Sequence, residues 1–265
     1  MKIETVMTDH FSLDYFKFGH GDHSLVILPG LSVQSVMGFA ASVAAAYDNF
    51  ADDFTVYVFD RRKELSASYS IHDMAQDTAE AIKKLCLSRV NVFGASQGGM
   101  IAMDMAIEEP ELINKLALGS TSASVDQVQY KTIEKWIQLA KSGDKTGLYL
   151  AFGEAIYPEA TFEQLQDLLT EMAETVTDED LKRFIILAEG MKGFDVTDQL
   201  KDIECPVLVI GSMDDQVLGF DACVRIAKNL NIQQSVVLYM YNGYGHAVYD
   251  IAPDYRERLL QFFNS

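Results

Sequence analysis

Short runs of β-branched and aromatic residues recur along the chain. They are Phe11–Phe18, Leu25–Leu28, Thr55–Phe59, Val90–Phe93, Lys115–Leu118, Val207–Ile210 and Val236–Tyr241. The middle ones are continuously apolar, as strands buried on both faces of a parallel sheet must be. Helical patterns separate them. Ser70–Leu87 carries Met74, Thr78, Ala81, Ile82 and Leu85 on one stripe, Asp221–Leu230 is another, and Pro253–Phe263 places a proline where a helix can begin. Strand and helix in alternation predict an α/β fold with a mostly parallel, doubly wound sheet. The first two runs are expected to form antiparallel edge strands.

The alternation stops between about Ser120 and Lys201. Three helix-start signatures stand there: Ser124-Val125-Asp126-Gln127, Thr161-Phe162-Glu163-Gln164 and Thr177-Asp178-Glu179-Asp180. The first two match the capping box and the third is an acidic variant of it. Apolar stripes follow, such as Phe162, Leu165, Leu168, Leu169 and Met172. The expected organisation is a core of residues 1–119 and 202–265 with a helical cap, 120–201, of roughly four helices. No Pro/Gly/Ser linker flanks this insert, so it is expected to lie on the sheet as a lid.

Size and charge narrow the field. A chain of 265 residues with 49% apolar content can bury a large core. Its net charge of −18 argues against nucleic acid and anionic membrane as partners. Met1-Lys2-Ile3-Glu4-Thr5 opens no secretory h-region, and no run approaches the length of a membrane span. Cys86, Cys205 and Cys223 are odd in number and widely spaced. They read as small buried hydrophobes in a reducing compartment, not as a disulfide set or metal site, and the expected address is the cytoplasm.

The candidate chemistry begins at Gly94-Ala95-Ser96-Gln97-Gly98, between the strand Arg89–Phe93 and a helix-like run from Gly99. A serine between two glycines at a strand-to-helix junction is a nucleophile elbow, with the hydroxyl raised above the sheet edge and the helix N-terminus aimed at any charge formed there. Serine alone is a poor nucleophile and needs a base and an orienting carboxylate. At such sites the chain order is serine, acid, histidine. Of five histidines only His246, in Gly243-Tyr244-Gly245-His246, follows Ser96. The acid should lie just past Val207–Ile210, where Asp214 and Asp215 stand side by side. Counting from Gly211 favours Asp214 and counting back from Val217-Leu218 favours Asp215. Asp215 is taken as the acid, with Asp214 as the alternative. The oxyanion donors are expected from the backbone of Gln97 and from Leu31, in the turn Leu28-Pro29-Gly30-Leu31.

With these residues the chain resembles the α/β-hydrolase fold superfamily over essentially its whole length. The resemblance is carried by Leu28-Pro29-Gly30, Phe59-Asp60-Arg61-Arg62, Gly94–Gly99, Asp214-Asp215 and Gly245-His246. Within that superfamily the chain is similar to lidded serine hydrolases of the carboxylesterase type. The resemblance implies nucleophile Ser96, acid Asp215 (or Asp214), base His246, an oxyanion hole of Leu31 and Gln97, and no metal or organic cofactor. Two departures stand out. Many members have His-Gly at Pro29-Gly30, a change that spares the backbone donor. Many have D-x-R-G-x-G where Asp60-Arg61-Arg62-Lys63-Glu64 has no glycine. That segment is expected to be a charged surface turn without a catalytic role. Serine at 96 sets the chain apart from haloalkane dehalogenases, in which an aspartate attacks.

The expected reaction is hydrolysis of a small neutral ester or lactone through an acyl-enzyme. Trp136, Tyr149, Phe152, Tyr157, Phe162, Met172, Phe184 and Met191 offer apolar surface for a pocket or for the cap's own core. The acidic cap, from Glu154 to Asp180, ranks neutral substrates above acyl-CoA thioesters. The same side chains could instead serve C–C bond hydrolysis, thioester hydrolysis or acyl transfer. They could also serve a ligand receptor of slow turnover, or stand inert on a scaffold.

Overall fold

The computed structural model describes residues 1–231 and 235–265, and the apolar runs pair there into one sheet. Its eight strands among the described residues are β1 (Ile3–Met7), β2 (Ser12–Phe18), β3 (His23–Leu28), β4 (Phe54–Arg62), β5 (Val90–Ala95), β6 (Ile113–Gly119), β7 (Val207–Ser212) and β8 (Val236–Tyr241). They are ordered β1-β2-β4-β3-β5-β6-β7-β8. From β4 to β8 every neighbouring pair is parallel, and β2 is antiparallel to both β1 and β4. The doubly wound, mostly parallel sheet is therefore present. The edge differs from expectation. The run Leu25–Leu28 is not an antiparallel edge strand but the interior strand β3, flanked in parallel by β4 and β5. Its four apolar residues are all buried, which only an interior strand allows. The edge strand, antiparallel to β2, is instead Ile3–Met7, a largely exposed strand whose mixed pattern carries little apolar signal.

The helices are α1 (Ala40–Ala46), α2 (Ile71–Lys84), α3 (Gln97–Glu108), α4 (Gln127–Ser142), α5 (Lys145–Ile156), α6 (Glu159–Glu174), α7 (Asp178–Glu189), α8 (Ala222–Asn229), α9 (Val248–Ile251) and α10 (Tyr255–Asn264). Alternate strand residues feed two cores. Val26, Leu28, Val90, Val92, Val207 and Val209 join α2, α3 and α8 on one face. Leu25, Ile27, Phe93, Leu208 and Ile210 join α1, α9 and α10 on the other. Each such side chain contributes about 1.5–3 kcal/mol by leaving water, so both helical layers are held by the same strands.

The winding fixes where a ligand can sit. β3 connects outward to β4, β5 connects the other way to β6, and Leu28 pairs with Gly94. The turn after β3 and the elbow after β5 thus leave from adjacent strand ends. This is the switch point at which open α/β sheets place their ligand crevice.

Helices α4–α7 lie between β6 and β7. Their starts follow local chemistry only in part. Thr177 caps α7 and closes a capping box with Asp180. The cap of α4 is Asp126, paired with Gln129, two residues beyond the predicted Ser124. Thr161 caps nothing: α6 begins at Glu159 because Pro158 cannot extend α5, and the Thr161 and Phe162 N–H groups both bond to the Pro158 carbonyl. Cys205 and Cys223 are buried as expected, but Cys86 is exposed, in the turn after α2. Among the described residues no helix is long and apolar enough to cross a membrane, and no cluster of three His, Cys, Asp or Glu side chains could hold a metal ion.

Candidate active site

Ser96 joins the wholly buried β5 to α3 with φ +51° and ψ −118°, a region that a side chain occupies at a cost of about 1–3 kcal/mol. Neighbours hold it there. Its N–H donates to the Gly119 carbonyl at 2.8 Å, and the Thr121 hydroxyl donates to its carbonyl at 2.7 Å. The turn is tight enough that a Cβ on Gly98 would lie 1.9 Å from the Leu28 carbonyl oxygen, so position 98 has no room for a side chain. Gln97 is the first residue of α3, and its backbone N–H has no partner within the helix.

His246 stands in the loop between β8 and α9. Gly245 turns that loop with φ +64°, where a Cβ would press to 2.8 Å against the Ile156 carbonyl. The imidazole Nε2 lies 2.9 Å from Ser96 Oγ and Nδ1 lies 2.8 Å from Asp215 Oδ2. The other Asp215 oxygen accepts the N–H groups of Val217 at 2.8 Å and Leu218 at 3.0 Å. A carboxylate only accepts, so Nδ1 carries the proton and Nε2 presents its lone pair to the serine hydroxyl. Ser96, Asp215 and His246 are all buried, where hydrogen bonds between charged groups are strengthened. Asp214 is exposed and accepts the Gly243 N–H. Of the two adjacent aspartates, Asp215 is the one in contact with the histidine.

Leu31 lies with Ser96 and His246 around a cavity of about 20 Å³. Ile133 and Trp136 of α4 and Phe152 and Ile156 of α5 close it from above. That volume is of the order of one water molecule. Beyond Leu31, Phe152, Ile156 and Tyr249 opens an apolar groove of about 320 Å³, which also meets Tyr149, Tyr157 and Met172. A larger groove of about 560 Å³ carries Phe162, Glu154, Glu159, Glu163 and Asp214 but touches neither Ser96 nor His246. Phe184 lines none of these three spaces; it is buried against Phe152. Burial pushes the Cys223 thiol up to about 12, so this sulfur beneath the site stays protonated.

The segment Asp60–Arg62 corrects the sequence reading. It is no surface turn: β4 runs on to Arg62, which pairs with Leu13 of β2. Arg61 is buried, and its Nη2 donates to the Pro29 carbonyl at 2.6 Å and to Gln97 Oε1 at 3.0 Å. Among the described residues its Nε has no partner. Burial pulls the guanidinium down to about 10, which leaves it charged at neutral pH. Asp60 receives Arg183 of α7 at 2.7 Å and the Ser35 hydroxyl. The Gln97 side chain meanwhile donates to the Leu187 carbonyl of α7 at 2.8 Å. The signal that could have located this network is an Asp-Arg pair at the carboxyl end of an interior strand.

The family profile described as alpha/beta hydrolase fold matches residues 24–253. The chain belongs to this family. The α/β-hydrolase is 25% identical over 231 residues to the proposed carbamate hydrolase RutD of Rhizobium rhizogenes, covering 84% of this chain and 87% of the relative. It is 23% identical over 222 residues to 3-oxoadipate enol-lactonase 2 of Acinetobacter baylyi, covering 81% and 80% of the two chains. Among solved structures it superposes on MGS-M2, an alpha/beta hydrolase enzyme from a deep-sea metagenome library, with a TM-score of 0.87 at 22% identity, covering 99% and 98%. The last likeness shows that the α/β-hydrolase keeps its fold across a wide gap in sequence.

Proposed function

We propose that the protein is a serine hydrolase that cleaves a small neutral carboxylic ester or lactone through an acyl-enzyme. The observation that carries this is the buried line Ser96–His246–Asp215, with contacts of 2.9 and 2.8 Å. In this reading His246 Nε2 takes the hydroxyl proton as Ser96 Oγ bonds to the acyl carbon. Asp215 stabilises the imidazolium. The carbonyl electrons move onto oxygen, which receives the N–H groups of Leu31 and Gln97 beside the positive end of α3. The tetrahedral adduct collapses, the bond to the leaving oxygen breaks, and that oxygen takes the proton from His246. Water, giving a proton to the same imidazole, then bonds to the acyl carbon; the bond to Ser96 Oγ breaks, Oγ takes that proton back from His246, and the acid is released.

The small cavity at Ser96 supports a compact group next to the reacting carbon, and the apolar groove beside it supports an uncharged remainder. The acidic side chains along the neighbouring groove disfavour anions. Names of relatives agree in kind: a carbamate and an enol-lactone each present one planar acyl carbon bearing a leaving heteroatom. Residues 120–201 act in this reading as the cap that excludes water from the chamber.

The test is hydrolysis of p-nitrophenyl esters from acetate to decanoate, beside Ser96→Ala. Acetate or propionate should be turned over best, and the substitution should remove at least about 10⁴-fold of kcat. Equal turnover of a CoA thioester and a neutral ester of the same acyl group would sink the substrate assignment. Undiminished turnover in the variant would sink the mechanism.

A further inference from the structure

Three stretches of chain that are distant in sequence meet on the Asp60–Arg61 pair: the turn after β3, the elbow before α3, and α7. Arg61 Nη2 alone spans the first two. It donates to the carbonyl of Pro29, two residues before Leu31, and to the side chain of Gln97, whose own N–H opens α3. Asp60 Oδ1 receives the Arg61 N–H at 2.7 Å as well as Arg183, so the residue carrying the guanidinium is itself held. The backbone stretches bridged by Nη2 are the two that carry the oxyanion donors of the acyl-enzyme reading.

Burying a guanidinium is costly, and an apolar side chain of similar volume would fill the space more cheaply. Arg61 meets carbonyl oxygens and not a carboxylate, so a strong ion pair does not account for it. What the guanidinium Nη2 supplies, and an apolar side chain cannot, is a planar pair of N–H donors that fixes two acceptors at a set separation. Stabilisation of an oxyanion demands that: donors must sit about 2.7–3.1 Å from where the charge develops, and a misplacement of about 1 Å can cost about a hundredfold in rate.

We propose that Arg61 is a positioning residue for the oxyanion hole. It holds the Pro29–Leu31 turn and Gln97 at the spacing at which the Leu31 and Gln97 N–H groups converge on one oxygen. The proposal rests on the acyl-enzyme reading above.

The experiment compares Arg61→Met, Arg61→Lys, Gln97→Met and the double variant Arg61→Met/Gln97→Met. Two quantities are read: steady-state hydrolysis of p-nitrophenyl acetate, and inhibition by a trifluoromethyl ketone, whose adduct with Ser96 places its oxygen in the same hole. Arg61→Met should lower kcat about a hundredfold with KM little changed. The ketone should lose affinity by the factor by which kcat/KM falls, because it mimics the transition state. Lysine should restore only part of the loss, being a point donor. Gln97→Met should act in the same direction, and the double variant should be no worse than the more damaging single one. Should Arg61→Met fail to fold, Arg61→Lys and Gln97→Met carry the same comparison. Wild-type kcat in a folded Arg61 variant would overturn the proposal. So would a lost kcat/KM with ketone affinity intact, or losses that add in the double variant. A wild-type protein that neither turns over esters nor is labelled at Ser96 by a fluorophosphonate would remove the acyl-enzyme reading and this proposal together. Turnover by the wild type with unaffected variants would remove the proposal alone.

Discussion

Asp215 spends one oxygen on two backbone N–H groups and the other on His246, so its orientation leaves the imidazole one usable tautomer. An asparagine there can keep the backbone bonds while turning an NH₂ toward Nδ1. Nε2 would then carry the proton and could accept none from Ser96. Asp215→Asn should therefore lower kcat by about 10⁴-fold in the esterase assay. Asp214→Asn should leave the rate alone and change stability by no more than about 0.5 kcal/mol in denaturant melts. The sequence could rank these neighbours only by counting from either end of a loop, and the two counts disagreed. His246 needed no such count, since no other histidine follows Ser96. Arg61 was the opposite case. A run of charges after a strand ordinarily faces water, but here the Arg61 side chain turns inward to Pro29 and Gln97, and Asp60 is paired with Arg183 of α7, far along the chain. No local pattern reports a long-range packing partner.

At the scale of elements, capping shows what local chemistry can and cannot decide. Thr177 accepts the Asp180 N–H at 3.1 Å, and Asp180 returns the favour to the Thr177 backbone at 2.8 Å. Thr161 has the same kind of motif but lies inside α6, because the Pro158 ring sets the helix start first. Thr177→Ala should cost about 1 kcal/mol in urea unfolding, whereas Thr161→Ala should cost well under half of that. The sheet follows the same logic. Continuous apolar runs announced the buried strands, but not which of them would be central. Strand order depends on how crossovers pack, so β3 was legible as a strand and not as the middle one. The strand Ile3–Met7 was missed because its side chains are largely solvated and so leave no apolar run.

Across the whole molecule, two spaces of unequal size meet at Ile156. It lines both the 20 Å³ chamber at Ser96 and the 320 Å³ groove outside. Ile156→Ala should join them. We expect the preferred acyl chain to lengthen, with kcat/KM for hexanoate rising relative to acetate, at a stability cost of about 2 kcal/mol. An unchanged chain-length profile would show that the wall lies elsewhere. The backbone of the same residue has a second partner: its carbonyl accepts the Ala247 N–H at 2.9 Å, one residue past the histidine. Anyone who treats the α4–α7 segment as an exchangeable cassette, swapping in helices from a relative to borrow its selectivity, would cut this tether. Chimeras of this protein should therefore be joined so that α5 and the His246 loop come from the same parent.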